Sequence, residues 1–145
     1  MREKMTEQAG TDAGTRLPAE ERGGFPRRIP VPVALLLTAA YTAGRYFLGR
    51  SGADPGPWAL ILIGPVTEEI LYRGILCPSL EQAMPPRAAA ACSAALFAAG
   101  HRGFPAMLGS LAFGYGAARL TRKTGKLRWA IFLHIGWNLA VYLLR

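Results

Sequence analysis

Residues 58–76 read WALILIGPVTEEILYRGIL and place two glutamates and one arginine inside a long apolar run. An apolar run of this length is typical of a membrane-crossing helix, which needs about 20 such residues. An ionisable side chain at membrane depth costs a few kcal/mol even on lenient insertion scales, so Glu68, Glu69 and Arg73 should face a protein interior or a wet cavity. This stretch therefore predicts a helix inside a bundle of membrane helices.

Apolar residues are gathered in blocks along the rest of the chain. Hydrophobic residues make up 51% of the sequence and do not follow the short stripes of a soluble core. The blocks are residues 29–48, 57–76, 88–100, 104–118 and 127–144. At about 1.5 Å of rise per residue, the first, second and fifth can cross a hydrocarbon layer about 30 Å thick, whereas the third and fourth are short. We predict an all-α, polytopic helical membrane protein with about five transmembrane helices.

Basic residues are unevenly divided between the two sides of such a bundle. With a cytoplasmic amino terminus, twelve of the 17 Lys and Arg residues fall on the cytoplasmic side and four on the other. This bias predicts a cytoplasmic amino terminus, and the Ala, Gly and Arg content suggests a bacterial cytoplasmic membrane. The net charge of +8 is explained by topology and by contact with anionic membrane lipid. No basic face interleaved with aromatic residues indicates nucleic acid.

The amino-terminal region differs in composition from the rest of the chain. Residues 1–28 are polar and mixed in charge, which predicts a disordered tail. A cleaved signal peptide is the competing interpretation, but the leading region is too long and too acidic for one. Residues 29–56 are predicted to form a first membrane helix and loop, and residues 57–145 a core that carries the polar motifs.

Helix geometry separates the two neighbouring glutamates. Glu69 and Arg73 lie at i and i+4 with the acid first, the favoured order for an intrahelical ion pair. Glu68 points about 100° away, towards the side of Tyr72, and has no cation nearby in sequence. Pro65 lacks an N–H, so in an α-helix it would leave the Ile61 carbonyl without its usual donor.

Both histidines of the chain lie at or within apolar blocks. His101 is four residues after Phe97, and His134 is four residues before Asn138, so each pair shares one helical face. Taken singly, such a histidine is more often hydrogen-bonded structure than catalyst. Lipid offers no hydrogen-bonding partners, so these side chains and Glu68 need one another. We predict that they converge around one internal cavity.

Three motifs together carry a family resemblance. EEILYR (68–73), FAAGH (97–101) and HIGWN (134–138) resemble the EExxxR, FxxxH and HxxxN motifs of the CPBP family, also called Abi or the CAAX protease and bacteriocin-processing family. The resemblance extends over the core 57–145. It implies an intramembrane endopeptidase with a catalytic cluster inside the helix bundle, similar to the core of type II CAAX prenyl endopeptidases.

The resemblance implies a role for each matching residue. Glu68 would be the general base that activates water, with His101 orienting that water and carrying its proton. His134 and Asn138 would stabilise the oxyanion of the tetrahedral intermediate. The implied supporting residues are Glu69, Arg73, Phe97 and Tyr72. The substrate would be a protein or peptide with a membrane-associated segment, and no cofactor is expected.

Three alternatives remain at this point. Glu68, His101 and His134 could instead hold a catalytic zinc with water in the fourth position, giving a metal-dependent version of the same protease. A second alternative is a non-catalytic bacteriocin-immunity or scaffold protein that binds a peptide without cutting it. A small transporter is the third, because polar membrane clusters also mark transport pathways.

Overall fold

The computed structural model describes residues 29–52 and 54–144, and within them the chain forms helices and no strand. We number the helices α1 to α5. They are α1 Val31–Arg50, α2 from Gly56 to Leu80, α3 Pro86–Ala99, α4 Phe104–Thr124 and α5 Leu127–Leu143. The predicted all-α class is confirmed. The tail predicted for residues 1–28 lies outside the described residues.

Proline and glycine mark where several of the helices begin and end. Proline occupies the first turn of α1, α3 and α4, where an N–H would have no helical acceptor. Gly125 ends α4 in the left-handed conformation, with φ of 66°, and its N–H donates to the Thr121 carbonyl at 2.8 Å. A turn of two residues then leads into α5 at Leu127. This tight turn brings α5 back antiparallel to α4 and against α2.

Helix α2 changes its hydrogen-bonding register twice. Its consecutive segments are Gly56–Trp58 (α), Ala59–Ile63 (π), Gly64–Glu69 (α), Ile70–Leu76 (π) and Cys77–Leu80 (α). The two glutamates therefore lie in one short α-helical segment between two π-helical segments. Such π segments are rare and are frequent at functional sites.

The first π segment corrects the expectation for Pro65. The Gly64 N–H donates to the Ala59 carbonyl, five residues earlier, so the missing donor at Pro65 leaves the Leu60 carbonyl unpaired within the helix rather than that of Ile61. The Leu60 carbonyl instead accepts a hydrogen bond from Asn138 Nδ2 at 2.8 Å. The wider register thus creates the acceptor that ties α5 to α2.

The outer surface of the bundle is strongly apolar. Its most exposed large side chains include Leu36, Phe47, Phe104, Leu143 and Leu144. Within the described residues, α1 is the helix that is long and apolar enough to cross a membrane by length and composition. Helix α3 has 14 residues, and α2 carries buried charges. The arrangement of five membrane spans therefore stays a prediction.

Candidate active site

A cavity of about 370 Å³ opens between α2, α4 and α5. The four residues proposed from the motifs all line it, and Arg45 of α1 lies at its wall. The lining includes Glu68, His101, His134 and Asn138 together with Leu60, Pro105, Phe113 and Trp137. The convergence expected from the sequence is therefore present, with polar groups set in mostly apolar walls.

Glu69 is the fully buried centre of the polar network. Its Oε1 accepts from Arg73 Nη1 at 2.9 Å, which is the intrahelical pair expected from the sequence. The same oxygen accepts from His134 Nδ1 at 2.8 Å. Glu69 therefore joins α2 to α5. Its Oε2 has no hydrogen-bond partner among the described residues, which makes the pair with Arg73 the main compensation for its burial.

Arg73 lies among aromatic rings instead of a second carboxylate. Its guanidinium carbon is 4.4 Å from the ring centroid of Phe97 and 5.8 Å and 5.9 Å from those of Tyr72 and Phe113. A desolvated cation over an aromatic face gains about 2 kcal/mol. Arg73 Nε and Nη2 have no hydrogen-bond partner among the described residues, so the rings supply the remaining stabilisation. Phe97 and Tyr72 therefore contact Arg73, while their supporting role in the site stays a prediction.

Gly114 of α4 leaves the space that Arg73 occupies. A Cβ at this position would lie 3.0 Å from Arg73 Nη2 and 3.2 Å from the Cα of Ala94. The Ala94 contact is to backbone, so α3 and α4 would have to separate. We expect Gly114→Ala to lower the free energy of unfolding by about 1–3 kcal/mol, measured by thermal unfolding in detergent.

Gly116 provides the matched control on the same helix. A Cβ there would meet nothing within 4 Å, and alanine is a better helix former than glycine by about 1 kcal/mol. Gly116→Ala should therefore leave stability unchanged or raise it. Equal behaviour of the two variants would contradict the packing role of Gly114.

Glu68 is paired with the first helix, a contact that spacing along one helix does not predict. Its Oε1 lies 3.3 Å from Arg45 Nη1 and accepts from the Tyr41 hydroxyl at 3.4 Å. Its Oε2 lies 3.7 Å from His134 Nε2. No cation is close to Glu68 in sequence, but α1 supplies one from 23 positions earlier. Tyr41 and Arg45 are again at i and i+4, a polar pair inside an apolar helix that could have signalled this contact.

The partner of His134 determines what its ring can do. An ionised Glu69 only accepts, so His134 Nδ1 carries the proton of their hydrogen bond. In the neutral ring Nε2 is then an acceptor, and Nε2 donates only in the imidazolium form. The predicted role as an oxyanion donor therefore requires the protonated ring, a condition that the sequence did not reveal.

His101 lies just beyond the end of α3 and packs against Phe97, with ring centroids 4.8 Å apart. Its Nδ1 donates to the Phe97 carbonyl at 3.0 Å, which leaves Nε2 as the acceptor in the neutral ring. No direct hydrogen bond joins His101 to Glu68 in the described residues. Both instead line the large cavity and a second pocket of about 20 Å³.

The described residues contain no group of three His, Cys, Asp or Glu side chains placed to hold a metal ion. His134 Nδ1 is engaged by Glu69, and His101 Nδ1 faces the Phe97 carbonyl. In the described part of the chain, Nε2 of each histidine stays free of such a hydrogen bond, and a metal-bound histidine commonly donates its other N–H to a carboxylate or a carbonyl. The zinc ligand set considered from the sequence, Glu68 with both histidines, is not gathered into a metal-binding group among the described residues, and the metal-dependent version stays an alternative. No step of the proposed chemistry passes through a metal.

Residues 55–140 match the family model described as type II CAAX prenyl endopeptidase Rce1-like. This match spans all three sequence motifs and every α2 residue that lines the cavity, but it begins after α1. The chain has no match among curated proteins or among solved structures.

Proposed function

Because the chain belongs to the Rce1-like family of type II CAAX prenyl endopeptidases, we propose that it hydrolyses a peptide bond of a membrane-associated protein or peptide. Membership implies a hydrolase of the protease class and a membrane-embedded protein. The observation that carries the finer proposal is the shared cavity of Glu68, His101, His134 and Asn138. A base, a proton carrier and two potential oxyanion donors there face the same space.

The large cavity has room for the attacking water beside the substrate. Its volume of about 370 Å³ far exceeds the roughly 10–15 Å³ that one water requires. Glu68 and His101 both line this cavity, so both can contact a water that lies next to the scissile bond. Glu68 takes a proton from the water while the water oxygen bonds to the peptide carbonyl carbon. His101 Nε2 orients the water, and the proton passes to the leaving amine as the C–N bond breaks.

The carbonyl oxygen becomes negative in this step and needs donors. Asn138 uses one amide N–H on the Leu60 carbonyl, and its amide carries a second. His134 contributes Nε2–H as the imidazolium, with Glu69 orienting the ring much as an acid orients a catalytic histidine. In that state positive and negative charges alternate along the series Arg73, Glu69, His134, Glu68 and Arg45. One oxyanion donor is typically worth about 2.7–4 kcal/mol.

The membrane setting completes the proposal. Helix α1 is able to cross a membrane, and the apolar outer surface suits contact with lipid. We propose a cytoplasmic amino terminus, a bacterial inner-membrane location and a substrate held at the membrane by an apolar segment or a lipid group. The description of the family makes a prenylated CAAX peptide the first probe. The immunity or scaffold alternative would bind such a peptide without cutting it.

The activity can be tested with purified protein in liposomes and a farnesylated CAAX peptide that carries a fluorophore and a quencher across the scissile bond. We expect release of fluorescence and a new terminus by mass spectrometry, and we expect a strong chelator to leave the rate unchanged because the proposed base acts on water without a metal. Terminal proteomics of membranes with and without the protein widens the search for substrates. Binding without cleavage in both experiments would favour the scaffold alternative. Loss of activity with chelator and its return with zinc would establish the metal-dependent version.

A further inference from the structure

Helix α1 lies outside the residues that match the family, yet it contacts the proposed base. Arg45 Nη1 is 3.3 Å from Glu68 Oε1, and the Tyr41 hydroxyl reaches the same oxygen at 3.4 Å. The two side chains are at i and i+4, so they project from one face of α1. The other oxygen, Oε2, faces His134. Helix α1 thus distinguishes the two oxygens of the carboxylate.

The backbone of α2 makes room for this contact. Gly64 lies one turn before Glu68, and a Cβ there would be 3.2 Å from Arg45 Nη1 and 3.0 Å from the Ala59 carbonyl oxygen. Any larger residue at this position would push against the guanidinium. The absence of a side chain therefore lets Arg45 lie beside α2 at the cavity wall.

Stability alone is a poor explanation for this arginine. Its side chain is 46% exposed, and half-exposed ion pairs contribute little to stability. Arg45 also lies in the last two turns of α1, where a long side chain can reach the membrane surface without this pair. The contact with Glu68 is therefore better explained by positioning of the carboxylate than by folding.

We infer that Arg45, assisted by Tyr41, is a positioning residue that binds Glu68 Oε1 and thereby presents Oε2 to the water and to His134. This inference rests on the proposed function, because it takes Glu68 as the base. A carboxylate can rotate about its last bond, and a general base works only when the accepting oxygen is held within hydrogen-bonding reach of its proton. Hydrogen-bond donors that hold one oxygen prevent this rotation of the carboxylate.

Kinetics of Arg45 variants on the farnesylated peptide test the inference. We expect Arg45→Ala to lower kcat roughly 10- to 100-fold, as misplacement of a catalytic group does, with KM changed less than about twofold because a positioning residue acts on the chemical step rather than on substrate binding. Arg45→Lys should restore part of the rate. Free guanidinium ion at non-denaturing concentration should rescue Arg45→Ala but not Glu68→Gln. Arg50→Ala, which removes the same charge from the last turn of α1, is the control and should keep the wild-type rate.

A spectroscopic measurement separates this inference from the proposed function. The infrared difference between the wild type and Glu68→Gln isolates the Glu68 carboxylate band without requiring any substrate. That band should shift in the Arg45→Ala background and stay in place in the Arg50→Ala background. An unshifted band overturns the inference even if the enzyme is active, and so does a raised KM with unchanged kcat. If no substrate is cut, the proposed function fails, while the shift of the band still decides whether Arg45 holds Glu68.

Discussion

We expect Glu68→Gln to abolish peptide hydrolysis and to leave the folded protein intact. Glutamine has nearly the shape of glutamate and can still accept hydrogen bonds from Tyr41 and Arg45, but its amide cannot take a proton from water. General-base catalysis typically contributes about 10²- to 10⁴-fold, so kcat/KM should fall at least about 100-fold. The half-exposed partner Arg45 can turn to water or lipid headgroups, so thermal unfolding in detergent should change little.

Glu81 provides the control for the loss of a carboxylate close to the same helix. It pairs with Arg122 at 3.1 Å, with both side chains substantially exposed, and such pairs contribute about 0–1 kcal/mol. Glu81→Gln should therefore keep both activity and stability. A Glu68→Gln variant that cleaves at more than about a tenth of the wild-type rate would exclude Glu68 as the general base.

The sequence predicted best what depends on local geometry. Spacing alone identified the pair of Glu69 with Arg73, because residues four apart meet on a helix, and the apolar blocks located the helices to within a few residues. Helix α4 is the largest departure, since it continues to Thr124 where the apolar block was taken to end at residue 118. Its last turns are basic and polar but still helical, and the helix ends only at Gly125.

The long-range contacts were beyond the sequence pattern. His134 meets Glu69 across 65 positions and Arg45 meets Glu68 across 23, and neither spacing reports which faces of two helices will pack together. The change to π-helical register also moved the unpaired carbonyl by one residue, from Ile61 to Leu60. Periodicity assumes a single register, so such a shift is invisible to it. The sequence therefore predicted which polar side chains line the cavity, whereas the hydrogen bonds and ion pairs between them became clear only from the fold.

Because Glu69 binds both Arg73 and His134, we expect Glu69→Gln to reduce the stability of the fold more than the other single substitutions. Glu69→Gln removes the carboxylate bound to Arg73, whose side chain is 1% exposed, and it weakens the hydrogen bond that holds His134 Nδ1. Breaking a buried ion pair by removing one partner costs about 3–5 kcal/mol, because a charge is left buried without compensation. We expect a large fall in the thermal unfolding temperature in detergent, with Glu81→Gln and Glu68→Gln close to the wild type.

A double variant tests that reason directly. In Glu69→Gln/Arg73→Met the buried charge is gone, and methionine can fill the space between Phe97, Tyr72 and Phe113 with apolar atoms. Replacing a buried pair by apolar groups of similar volume is often neutral for stability, so the double variant should unfold at a higher temperature than Glu69→Gln alone. Its activity should remain low, because His134 still lacks an ionised partner to orient its ring. If the double variant is no more stable than Glu69→Gln, then Glu69 acts on folding through His134 rather than Arg73. The single variants give a further test. Equal losses of activity and of stability in Glu68→Gln and Glu69→Gln would refute the separate roles of the two glutamates.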